Sequence, residues 1–251
     1  MHPEAIGRAR FCSSLSGAAE IGAMLEELQG RARAFTLLDA GCGTGEQLLA
    51  LAQRFPAMSG VGIDIAAANI AAARARLRTR PDLRGRIRFE QADLREWRHE
   101  PFDVVITNSV LYLVPGPTDA LDARLAALTR PGGLLLLCEP VACVRNSVLI
   151  ALRRILRRLR SRALERLALA IAKRLHPDAD IAFLEDRIPY LYVVPERMNG
   201  PARERELAAF GFRRLGELLV PDASIAKLRH SLAVFRREAA EFPVAGRAWR
   251  D

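Results

Sequence analysis

Aromatic side chains are scarce in this chain, and none falls among the arginines of residues 145–174. A groove for single-stranded nucleic acid stacks bases on successive rings, so that use is disfavoured. Cysteine is scarcer still. Cys12, Cys42, Cys138 and Cys143 form no CxxC pair and no zinc-ligand spacing. This argues against a disulfide framework or a structural metal, and for reduced thiols in the cytoplasm. No uncharged apolar run approaches the roughly 18 residues of a membrane-spanning helix, and LLLLC at residues 134–138 is strand-sized. The first thirty residues lack a basic start followed by an apolar core, so no secretion signal is expected. Lysine is almost missing too: 36 of the 38 basic residues are arginine. That bias sets which cation is used, not where it sits.

Half of the 251 residues are hydrophobic, enough to bury one large core or a core with a subdomain. The formal net charge of +9 is confined to one place. Residues 145–174 hold ten basic residues and one acid, Glu165, whereas the remainder holds 28 of each sign.

Residues 4–30 read as helix, with the apolar spacing of GAAEIGAMLEELQG and a closing glycine. Strands and helices then alternate. AFTLLDAG is a buried strand, GEQLLALAQRF a helix, SGVGIDI a second strand and AANIAAARARLRTR a second helix. RIRFEQAD is a third strand, FDVVITN a fourth, TDALDARLAALTR a helix and GGLLLLCEP a fifth strand. This alternation predicts parallel pairing in a doubly wound α/β sheet. The pattern stops at a basic helical region, residues 145–175, and strand signals return only in FRRLGELLVPD and SLAVFRRE, which suit an antiparallel edge hairpin.

The first strand runs into LLDAGCGTGE, with Gly41, Gly43 and Gly45 at alternate positions. A strand, glycines and a helix start bring backbone N–H groups around a ligand. A dinucleotide fingerprint has its third glycine where this chain has Glu46, and an acid there opposes a pyrophosphate. The loop also lacks the lysine of a triphosphate-binding loop. A ligand without phosphates fits better. Asp64, nineteen residues after Gly45, ends the second strand, where a carboxylate can accept both hydroxyls of a ribose. Asp93 ends the third strand, where it can accept from an exocyclic amine beside Leu94. Adenosine contacts with no phosphate between them are the result.

An acid followed by G-x-G-x-G resembles motif I of the class I S-adenosylmethionine-dependent methyltransferases, and the resemblance extends in four ordered motifs over residues 35–140. It implies a Rossmann-like, mostly parallel sheet of seven strands with a C-terminal antiparallel hairpin and a helical insertion after strand five. It implies one domain over 1–251, divided into an N-terminal helical cap (1–34), a cofactor-binding core (35–144), a helical lid or insertion (145–200) and a closing helix with the edge hairpin (201–251). S-adenosylmethionine is the implied cofactor. Asp39, Gly41, Cys42 and Gly43 would lie beside its methionine and ribose, with Cys42 a small loop residue and not a nucleophile. Asp64 would hold the ribose hydroxyls with Ile65 beside the adenine, Asp93 and Leu94 would address the adenine edge, and the backbone of Asn108 would face the methionine amino group.

The acceptor is harder to read. Methyl transfer from a sulfonium is an in-line displacement whose main requirement is geometry, and a base is needed only if the acceptor must lose a proton. TNSVLY stands where amino methyltransferases that act on nucleobases carry Asn/Asp-Pro-Pro-aromatic, so nucleic acid is disfavoured as a substrate. Tyr112 is the candidate catalytic residue, Glu139 reads as a turn cap or an acceptor contact, and Tyr190 and Tyr192 as packing or as a closure over the site. His99, His176 and His230 carry no spacing that marks a base. A small apolar or amphipathic acceptor from lipid, quinone or secondary metabolism is expected. Other reactions of the same cofactor, such as intramolecular cyclisation, stay open. An NAD-dependent oxidoreductase is disfavoured by Glu46 and by Gly116, which stands four residues after Tyr112 where a lysine would be needed. A partner-binding scaffold is disfavoured by the intact cofactor motifs.

In the insertion, Val148, Leu152, Ile155, Leu159, Ala163, Leu167, Ile171 and Leu175 step by three or four residues and form one apolar stripe, with Arg153, Arg154, Arg157, Arg158, Arg160 and Arg162 on its flanks. Two expectations follow: a lid that buries the stripe on the core, or a helix lying on an anionic membrane surface over 148–175. The protein is expected in the cytoplasm, at most peripheral to a membrane.

Overall fold

The computed structural model describes residues 16–30, 32–175, 177, 180–181, 184–185, 188–220 and 228–238. The predicted helix at residues 4–15, the hairpin turn at 221–227, His176, the Tyr190 side chain and residues 239–251 lie outside the described residues.

Seven strands form one sheet: β1 (Phe35–Ala40), β2 (Met58–Asp64), β3 (Ile87–Gln91), β4 (Phe102–Asn108), β5 (Thr129–Pro140), β6 (Phe212–Leu219) and β7 (His230–Arg237). Their order is β3-β2-β1-β4-β5-β7-β6, parallel from β3 to β5, with β7 antiparallel to both β5 and β6. This is the doubly wound α/β sheet with its C-terminal hairpin.

Alternation along the strands divides the core between two faces. Val104, Ile106, Leu134 and Leu136 join a cluster with Phe35, Leu37, Leu48, Leu51 and Ile70. Val105, Leu135 and Leu137 join the opposite cluster with Leu121, Leu125 and Leu207. The first face is covered by α1 (Ser16–Gln29), α2 (Glu46–Arg54) and α3 (Ala67–Arg78), the second by α4 (Thr118–Leu128) and α7 (Pro201–Ala208). Period-2 apolar strands and helices whose buried residues repeat every three or four positions therefore meet on both sides.

On the second face, Arg203 of α7 donates through both terminal nitrogens to Asp122 of α4, at 2.6 and 2.5 Å, and both side chains are buried. Desolvation raises the Asp122 pKa even against this guanidinium. A pair held so far from water keeps each charge tolerable only while the other is present.

The insertion is two helices, α5 (Val144–Arg158) and α6 (Arg162–Leu175), followed by a short 3-10 turn at Ile188–Tyr192 on which both helices pack. The lid expectation fails in one respect: the apolar stripe does not face the core. Val148, Leu152, Ile155, Leu159, Leu167 and Ile171 are each at least half exposed. The inner side of α5 instead carries Asn146 and Ile150, both buried, with Arg153 half-buried. Asn146 is held there by its amide, which donates to the carbonyls of Val141 and Arg229. Periodicity reveals a stripe, not the direction it points.

Candidate active site

The carboxyl ends of β1, β2 and β4 meet where the chain order reverses, since β1 is followed by β2 on one side while β4 lies on the other. Open parallel sheets bind ligands at such a switch point. Every residue assigned to the cofactor by the resemblance lies at or just beyond the carboxyl end of β1, β2, β3 or β4.

Gly41, Gly43 and Gly45 all have positive φ (84°, 53° and 80°), a region that residues with a Cβ rarely enter. A Cβ on Gly41 would meet Val110 at 2.3 Å, and one on Gly45 would meet Phe89 at 2.6 Å and Ala73 at 2.9 Å. At these two positions the missing side chain is explained by the protein's own packing and backbone turn. Ligand approach, the reason inferred from the sequence, is not required to account for them.

The loop's polar groups carry the stronger signal. Asp39 is buried, and its Oδ2 has no hydrogen-bond partner among the described residues. Thr44 Oγ1 and Gln47 Nε2, also buried, are unpartnered in the same way. Buried polar atoms without partners are rare in folded proteins, so three on one nine-residue stretch call for a ligand. Burial first, then the Asp64 charge, pushes the Asp39 carboxyl up to about 7. A cationic ligand group beside it would restore the ionised form.

Asp64 is held in place by its surroundings. Its Oδ2 accepts from the Gly43 N–H at 2.9 Å; its Oδ1 accepts from the Ala66 N–H at 2.8 Å and from Asn69 Nδ2 at 3.3 Å. The carboxylate thus braces the glycine loop and the start of α3 together. Ile65, next in the chain, is exposed beside it. Asp93 is already engaged: the guanidinium and backbone N–H of Arg95 donate to it and hold its pKa below the usual carboxylate range. Leu94 is buried. Asn108 donates through Nδ2 to Gln47 Oε1 at 2.7 Å, joining the end of β4 to the first turn of α2. Glu46, at the start of α2, pairs with Arg76 at 2.7 Å. Cys42 is buried, and desolvation, aided by Asp39 and Asp64, drives its thiol pKa upward, away from thiolate chemistry.

Tyr112 lies on a 3-10 turn, Leu111–Leu113, directly after β4. Two buried charges fix this turn from opposite sides. Glu139 Oε1 accepts from the N–H groups of Val110 (3.2 Å) and Leu111 (3.1 Å) and from the Thr107 hydroxyl (3.3 Å). Arg197 donates to the carbonyls of Leu111, Val114 and Gly116, at 3.0, 2.6 and 2.5 Å. Glu139 therefore caps the turn that carries Tyr112. Burial raises its pKa to about 7 against the opposing pull of these donors. Arg153 reaches inward from α5, donates to the Val193 carbonyl at 3.3 Å and lies within electrostatic range of the Tyr112 phenol; burial lowers its pKa. Tyr192 is buried with Arg160 over its ring. His99 is exposed and stacks on Trp97 and Phe102, and His230 bonds the Leu228 carbonyl at the start of β7.

Sequence reasoning missed Thr44, Gln47, Arg153 and Arg197. Gln47 follows the glycine loop directly and was within reach; the other side chains find their roles only through the folded arrangement.

Residues 37–133 match the methyltransferase domain family, and the sheet order is that of the class I methyltransferase fold. Over 104 residues it is 42% identical to trans-aconitate 2-methyltransferase of Deinococcus radiodurans, a match that covers 41% of this chain and 37% of that protein. The chain thus spans about two fifths of the length of the curated relatives it matches. Magnesium protoporphyrin IX methyltransferase from Synechocystis, crystallised with SAH, shares the fold with a TM-score of 0.61 at 17% identity, over 93% of this chain and 84% of that one. The 4+2 cyclase SpnF does so with a TM-score of 0.59 at 17% identity, over 93% and 84%.

Proposed function

We propose that the protein transfers a methyl group from S-adenosylmethionine to a small amphipathic acceptor of lipid, quinone or secondary metabolism. The observation that carries this reading is the set of buried, unpartnered polar atoms on the loop: Asp39 Oδ2, Thr44 Oγ1 and Gln47 Nε2. They fit a ligand that brings both a cation and hydrogen-bonding groups, as the amino acid end of S-adenosylmethionine does. Asp39 would face that cation, and Asp64 the ribose, from a carboxylate already oriented by Gly43 and Ala66. Ile65 would cover the adenine, with Asp93 and Leu94 at its edge; since Arg95 occupies the Asp93 carboxylate and Glu96 and Trp97 donate to the Asp93 carbonyl, the Leu94 N–H is the better contact there. When bound, the cofactor supplies an electrophilic methyl on sulfur.

The chain's own contribution is placement. Glu139 and Arg197 hold the turn that carries Tyr112, and Arg153 offers a partly desolvated cation beside it. An acceptor with an anionic or oxygen-rich end would anchor at Arg153 and Tyr112, its apolar body against the insertion. Trans-aconitate, named in the curated relatives, has the anionic groups without the apolar body and belongs in the panel to be tested. The test is mass spectrometry of small-molecule extracts and of trans-aconitate after incubation with methyl-labelled S-adenosylmethionine. The label is expected in a small acceptor. Label in nucleic acid, or product formed with no label and no S-adenosylhomocysteine, would contradict the proposal.

A further inference from the structure

We infer that helices α5 and α6 form a docking surface for an anionic lipid bilayer, on which the protein rests without crossing it. None of the described helices is long and apolar enough to span a membrane. The surface is built differently. Val144, Val148, Leu152, Ile155 and Leu159 are 50–82% exposed. At 3.6 residues per turn these five fall within an arc of roughly 80°, opposite the inner side that holds Asn146, Ile150 and Arg153. On α6, Leu167 and Ile171 are exposed one turn apart. Large apolar residues exposed singly are ordinary, but a continuous row over four turns of one helix marks an interaction surface.

Charge identifies the occupant. Arg154, Arg157, Arg158, Arg162 and Arg166 are exposed and form no ion pair among the described residues. They lie on the same two helices as the apolar row, in the one segment that carries the chain's positive excess, and on α5 Arg154 and Arg158 flank the row along one side. A bilayer with acidic headgroups offers both complements at once, acyl chain for the leucines and isoleucines and negative charge for the arginines. A second copy of this chain, set face to face about a two-fold axis, would press arginine against arginine. A nucleic acid would satisfy the charges and leave the apolar row in water, and the segment has no aromatic residue on which a base could stack.

The test uses the full chain and co-sedimentation with phosphatidylcholine vesicles, with and without phosphatidylglycerol, at low and high salt. Wild type is expected to bind the anionic vesicles at low salt at least tenfold more than the neutral ones, and to be released by salt. Arg154→Gln/Arg157→Gln/Arg158→Gln, and separately Leu152→Ser/Ile155→Ser, should each lower binding by about tenfold or more. All five positions are exposed, and an unchanged circular dichroism spectrum and unchanged S-adenosylmethionine affinity would show the variants intact. The lipid and salt dependence of wild type stands whatever the variants do. Absence of binding to anionic vesicles at low salt overturns the inference, as does equal binding to neutral vesicles. Self-association in solution that Leu152→Ser/Ile155→Ser abolishes would assign the face to a second copy. Tighter binding to an oligonucleotide than to vesicles would assign it to nucleic acid.

Discussion

Arginine serves two opposite purposes in this molecule. Between α4 and α7, Arg203 is buried against Asp122, and nearby Arg197 is buried with its guanidinium on three carbonyls. On the outside of α5, Arg154 and Arg158 are exposed beside exposed valine, leucine and isoleucine. The residue type is the same and the surroundings differ: one group holds the fold and the site together, and the other leaves its charge available. Composition alone does not separate them, because the buried arginines lie in the part of the chain where acids balance bases.

This contrast can be broken by substitution. Arg203→Ala should be the most damaging change, since it leaves Asp122 buried without its partner. A loss of about 3–5 kcal/mol in urea unfolding is expected, against a change within about 0.5 kcal/mol for Arg154→Ala.

Asp39 comes next. Its folded pKa of about 7 lies above the ordinary 3.8 of an unfolded aspartate, so the folded state holds its proton more tightly. Stability of the ligand-free protein should therefore fall as pH rises from about 4 to about 7 and level off above that. Asp39→Asn removes this penalty: it should stabilise the ligand-free protein by about 2–4 kcal/mol at pH 8 and by almost nothing near pH 4. It should weaken S-adenosylmethionine binding at the same time. A Tm gain equal at both pH values would show that the buried charge is not the cause.

Tyr112→Phe should lower turnover about tenfold while cofactor affinity holds, the signature of a group that meets the acceptor and not the cofactor. Arg153→Gln should raise KM for an anionic acceptor more than it lowers kcat. Equal turnover by wild type and Tyr112→Phe would leave the ring, and not the hydroxyl, as the contact.

The strands were legible because each buried element kept its period. The β1, β2 and β4 ends that build the site lie within a residue or two of the positions read from AFTLLDAG, SGVGIDI and FDVVITN. The start of β5 was not, because Pro131 and two glycines look like a turn; in the fold they form a bulge inside the strand, with Gly132 at φ 79°, where the register shifts between Phe102 and Val104. Asp64 and Asp93 were readable as site residues from their places at successive strand ends. The prior engagement of Asp93 by Arg95 was not readable. Nor were the grips of Glu139 and Arg197 on the turn of Tyr112, which join residues 28 and 86 positions apart. The stripe on α5 was legible as a stripe, but its direction was set by Asn146, a polar residue that carries no periodic signal and is anchored to carbonyls of the sheet edge.

The central claim is that the loop from Asp39 to Gln47, braced by Asp64, is the site of S-adenosylmethionine. Calorimetric titration of wild type and Asp64→Ala with S-adenosylmethionine and with NAD tests it most directly. Wild type should bind S-adenosylmethionine and not NAD, and Asp64→Ala should lose about 1.5–3 kcal/mol of that affinity. The same variant should lose about 1 kcal/mol of stability with the hydrogen bonds from the Gly43 and Ala66 N–H groups, while Asp64→Asn keeps an acceptor for Ala66 and still loses affinity. Tighter binding of NAD than of S-adenosylmethionine, or unchanged affinity in a folded Asp64→Ala protein, would contradict the account.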